Sequence, residues 1–191
     1  FMQSGWGGWP KAGRKMPAGR LLVTDGKEVY GYGRNQYDIP GAHVGVDALG
    51  VWGPIHKGLG RWTYYRLFGG VMDTRLPKEQ RRQAAKDSSG ARWERRVPVL
   101  ARAMVLNDDT LFVAGAPDKV ENIPHEPEEV NPLAKALEGA YGGRFMAFSR
   151  KNGKPLARHD LPGAPVLDGM AAVEGRLFIY TQDGRVVCMA E

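Results

Sequence analysis

Four histidines, one cysteine, five tryptophans and one run of carboxylates are the side chains of this chain that could do chemistry. The histidines are His43, His56, His125 and His159, and no two stand at the i, i+4 spacing of a helical metal pair. His43 and His56 bracket a glycine-rich stretch, so one loop could offer both as ligands. Asp118, Glu121, Glu126, Glu128 and Glu129 crowd another loop. A Ca²⁺ site needs oxygens spaced regularly around a tight turn. Prolines at 117, 124 and 127 break that spacing, and a solvated acidic loop is expected instead. Cys188 has no partner for a disulfide within the chain, and a Cys-x-x-Cys-His haem site is excluded. It sits in the apolar run 186–190 and reads as a small buried hydrophobe.

No Gly-x-Ser-x-Gly elbow or phosphate-binding loop ending in Lys-Ser/Thr occurs. The glycines at 5–8 and 31–33 are not followed by a helix that could hold a phosphate. Arg81-Arg82 and Arg95-Arg96 beside Trp93 read as exposed charged segments rather than a nucleic-acid patch. Catalytic and metal-binding residues are therefore assigned to none of these positions. The binding candidates are Trp6, Trp9 and Trp52, in expected loops, together with His43 and His56.

The elements that must position these groups are strands. Arg20–Gly33 reads as a hairpin turning at Asp25-Gly26, and Gly175–Ala190 as one turning at Asp183-Gly184. Further strands are expected at 61–68, 93–98, 101–106, 110–115 and 143–148, with an Asn152-Gly153 turn after the last. Residues 131–139 read as a short helix capped by Asn131, begun by Pro132 and ended by Gly139. A second short helix is expected over 77–86. The stretches 34–60, 73–92 and 116–142 read as insertions between strands, and 1–19 as a leading segment rich in Gly and Trp. No run of eighteen apolar residues exists to span a membrane as a helix. Charge is uneven: residues 1–103 carry 18 Lys and Arg against 8 Asp and Glu, and residues 104–191 carry 9 against 13. Such a split fits attraction between the halves, or an anionic partner on the first.

The strands repeat. Leu21–Val23, Leu111–Val113 and Leu177–Ile179 align at one position, and Val29–Tyr32, Phe145–Phe148 and Val186–Met189 at the next. Repetition with insertions confined to connections is how propeller blades are written.

The run Ala147–Leu156 resembles the repeat of the pyrroloquinoline-quinone-like (quinoprotein-type) β-propellers. Ala147, Gly153 and Lys154 match that repeat. Ser149 stands where Asp is usual, Asn152 where Thr is usual, and Ala157 near its docking Trp. Residues 175–190 resemble the preceding half-repeat. Segments 17–34, 101–104, 111–115 and 168–172 are similar to the C-terminal part of large propeller proteins common in planctomycete-type bacteria. The resemblance implies an all-β fold of about two and a half four-stranded blades. These are a first blade over 20–98, a second over 99–165 and a half blade over 166–191. Repeat folds need about three units to bury their faces. The propeller is therefore expected to be completed by another protein chain or an upstream segment of the same precursor. Active members of the family hold a quinone cofactor with Ca²⁺ and often a vicinal disulfide, which one cysteine cannot form. The expected function is a non-catalytic binding or scaffold module without cofactor. The alternatives are a propeller component of a quinone- or haem-linked oxidoreductase complex, with pyrroloquinoline quinone and calcium, and a carbohydrate-binding propeller. The resemblance points to the periplasm or another extracytoplasmic space.

Overall fold

The computed structural model describes residues 19–34, 65–71, 91–119, 132 and 134–190. Among the described residues eleven strands form three antiparallel sheets, each built from strands consecutive in the chain. The first sheet runs β1 (Leu21–Thr24), β2 (Glu28–Arg34), β3 (Tyr65–Val71), β4 (Trp93–Arg96). The second runs β5 (Val99–Leu106), β6 (Thr110–Pro117), β7 (Gly143–Ser149), β8 (Pro155–Leu161). The third holds β9 (Pro165–Val173), β10 (Arg176–Thr181) and β11 (Val186–Ala190). It starts earlier than the expected hairpin and has one strand more.

Local turn chemistry explains most reversals. At Asp25-Gly26 the Asp25 carboxylate accepts hydrogen bonds from the N–H groups of Lys27 (2.9 Å) and Glu28 (2.8 Å). At Asn152-Gly153 the Asn152 side-chain oxygen accepts from the Lys154 N–H at 2.9 Å. β9 and β10 are joined by only Glu174 and Gly175, at φ +49° and +72°. Two left-handed residues in a two-residue loop match the twist of a hairpin. The expected helix is present as a turn over 134–137, followed by Gly139 at φ +89°. The proposed cap Asn131 and the helix over 77–86 lie outside the described residues. So do most of the three expected insertions.

The pairings show a register repeated three times. Tyr30 lies opposite Gly69, Phe112 opposite Ala147, and Phe178 opposite Cys188. Two residues along, Tyr32 faces Leu67, Ala114 faces Phe145, and Tyr180 faces Val186. These pairs share one face of each sheet, since side chains alternate along a strand. The repeat departs from the sequence alignment in the first sheet. Leu21–Val23 is a first strand, whereas Leu111–Val113 and Leu177–Ile179 are second strands. Val29–Tyr32 likewise belongs to a second strand, but its aligned partners to third strands. An apolar run before an Asp-Gly turn looks alike in either place, and only long-range pairing separates them.

The sheets pack in chain order. The shared face of the first sheet, with Tyr30, Tyr32, Leu67 and Trp93, gathers in one core with Leu111, Val113, Met146 and Phe148 of the second. On its opposite side the second sheet offers Phe112, Ala114, Phe145 and Ala147 to Leu177, Ile179, Val187 and Met189 of the third. First strands approach first strands, β1 beside β5 and β5 beside β9.

Candidate functional site

The seam between the first and second sheets is filled. Trp93 on β4 pairs with Gly69 on β3, and a Cβ added at Gly69 would fall 2.5 Å from the indole. From the second sheet, Gly153 approaches the same ring so closely that an added Cβ would lie 2.4 Å away. Its φ of +67° also disfavours a side chain. The indole N–H donates to the Arg150 carbonyl at 2.9 Å, and Tyr30 flanks the ring at 6.2 Å between centroids. Trp93 is 9% exposed.

A charged clasp closes the outer side of this seam. Arg150 pairs with Asp25, and its Nε donates to the Tyr30 hydroxyl at 2.8 Å. Its Nη1 donates to the Asp108 carbonyl at 3.1 Å, and Nη2 lies 3.7 Å from Glu28. The Tyr30 hydroxyl donates to Glu28, which also pairs with Arg92. The two N–H groups of Glu28 and Lys27, aided by Arg150, hold the Asp25 carboxyl down to about 2. The Tyr30 hydroxyl, with Arg92, lowers Glu28. Burial, with Glu28 beside it, raises Tyr30. Asp25 and Glu28 are thus held charged and Tyr30 neutral at neutral pH. Tyr30 is a poorer proton donor than a free phenol, and its phenolate is correspondingly scarcer at neutral pH. The arrangement suits holding two sheets together, not proton transfer.

The seam between the second and third sheets is different. Where Trp93 pairs with Gly69, the second sheet has Ala157 pairing with Ala147. A cleft of about 470 Å³ opens there, lined by Phe112, Phe145, Ala147, Ala157, Leu177 and Met189. Phe112 and Phe145 stack at 5.8 Å, and His159 lies behind Phe145 at 6.2 Å. Leu156 and Val173, 56% and 54% exposed, stand beside the opening, with Glu174 and Arg176 among its polar lining. β8 and β11, on either side, are each paired on one flank only among the described residues. Beyond the cleft, the third sheet turns its shared face outward, with Tyr180 and Val186 about half exposed and Cys188 exposed. This corrects the reading of Cys188 as buried. β11 alternates, and the cysteine falls on the side away from the core.

The candidates Trp6, Trp9, His43, Trp52 and His56 lie outside the described residues. The acidic loop from residue 120 to 131 does also. Among the described residues no three His, Cys, Asp or Glu side chains come together as a metal site, and no helix is long and apolar enough to cross a membrane. Sequence reasoning missed both the cleft and the clasp. The departure at Ala157 from the docking tryptophan was the available signal for the cleft. No protein-family model and no curated protein sequence matches this chain.

Proposed function

We propose that the chain is a non-catalytic binding and scaffold module, forming part of a β-propeller that another chain or segment completes. The observation that carries the reading is the third sheet. It is apolar on both faces, and its shared face stands open at the register positions the other two sheets bury. Sheets polar on their outer side read as ends of a stack, and a sheet apolar on both sides reads as an interior layer. The propeller reading draws support from consecutive antiparallel meanders packed face to face, with first strands adjacent. The Gly153–Trp93 contact adds support, because it joins a turn of one sheet to the outer strand of the sheet before it.

Native mass spectrometry of the protein purified from its source, beside a visible absorption spectrum, tests this. The expected result is a colourless assembly heavier than the 21.0 kDa chain. A folded, colourless monomer would sink the reading, and a quinone or haem absorption band would replace it with a redox role.

A further inference from the structure

The cleft between the second and third sheets occupies the register of the Trp93 seam, with a methyl at Ala147 where Gly69 has none and no counterpart of Gly153 among the described residues. Tyr30 beside the Trp93 ring corresponds to Phe112, and Gly69 beneath it to Ala147. The ring itself corresponds to Ala157, and Phe148 on the opposing sheet to Met189. The same register thus encloses an indole in one seam and about 470 Å³ of space in the next. Its walls are two stacked phenyl rings, alanine methyls and a methionine, surfaces suited to the face of a flat ring.

We infer that this cleft is a socket for one aromatic side chain of a partner polypeptide bound in extended form. The occupant is a ring because the walls offer aromatic faces and the corresponding register of the first seam holds one. It is a polypeptide rather than a free aromatic molecule because the socket lies between two strand edges, β8 and β11, each with an unpaired flank among the described residues. An added strand satisfies those backbone groups while its side chain anchors in the pocket. Leu156 and Val173 extend the apolar surface for residues flanking the ring. The inference rests on the binding-module reading and names the chemistry of its partner.

The test uses the 191-residue chain with ¹³C-labelled Ala and Met methyl groups. The probes are a capped peptide Thr-Val-Trp-Val-Thr, its Thr-Val-Ala-Val-Thr counterpart, and N-acetyltryptophanamide. The Trp peptide is expected to shift the methyl signals of Ala147, Ala157 and Met189 and leave Met104, in the filled seam, unmoved. The Ala peptide is expected to bind at least about tenfold more weakly, as loss of an aromatic anchor does. Ala157→Trp, which fills the socket from within, is expected to abolish binding. The milder Ala157→Phe should weaken it, and the two-peptide comparison stands even where neither variant folds. Equal binding of both peptides, or binding of neither, overturns the socket. N-acetyltryptophanamide binding as tightly as the Trp peptide overturns the polypeptide occupant. A native assembly that persists unchanged in Ala157→Trp also overturns the socket, while leaving the module reading intact.

Discussion

At the scale of single residues, the filled seam depends on Trp93 and the two glycines that admit it. Truncating Trp93 to Ala removes a buried aromatic and leaves a cavity, a change that costs about 3–5 kcal/mol. Urea unfolding of the variant should show a lower midpoint, and Trp93→Phe should retain part of the loss because only the bond to Arg150 and some volume disappear. The Asp25 carboxyl titrates at about 2 in the folded chain against an ordinary 3.8. Its depressed value means its contribution is present above the unfolded range and is lost as pH falls from about 4 through about 2. Asp25→Asn should flatten that part of the acid-unfolding curve, and an unchanged curve would show that the turn N–H groups and Arg150 add no acid-sensitive stability through Asp25. None of this was legible in the sequence. Asp25 and Arg150 are 125 residues apart, and Trp93 meets Gly153 only once two sheets have formed.

Among the elements, hairpins were the legible part. Asp25-Gly26, Asn152-Gly153 and Asp183-Gly184 announce themselves because the φ each needs is local chemistry. The Glu174-Gly175 reversal did not, since glutamate rarely takes a positive φ. That residue therefore carries strain a better turn former would relieve. Glu174→Asn should raise the thermal midpoint, because asparagine enters the left-handed region more readily than glutamate. A calorimetric scan with no increase would mean that Glu174 makes compensating contacts. Strand membership was harder to read than strand existence. The alignment slipped in the first sheet because the pattern before and after an Asp-Gly turn is the same in either hairpin, whereas the true order is set by pairing to β3 and β4.

For the molecule as a whole, the sequence resemblance anticipated an all-β chain in repeated sheets, and that much the fold bears out. The open face of the third sheet is where association is predicted. Tyr180→Lys with Val186→Lys replaces two half-exposed apolar side chains by charges. The pair should disperse the native assembly to a monomer while changing the stability of the isolated chain little, as surface substitutions usually do. Analytical ultracentrifugation of source-purified and variant protein distinguishes the outcomes. An assembly that survives the double substitution would place the partner elsewhere.

The unequal lengths of the connections also carry a kinetic consequence. The strands of the third sheet are joined by residues 174–175 and 182–185, whereas β2 and β3 are separated by residues 35–64. Closing a short loop loses little chain entropy, so contacts across it form early. The third sheet should therefore nucleate first and the first sheet last, in an order opposite to their appearance along the chain. Pulse-labelled hydrogen exchange during refolding would show amides of β10 protected before those of β3, which pairs with β2 only across residues 35–64.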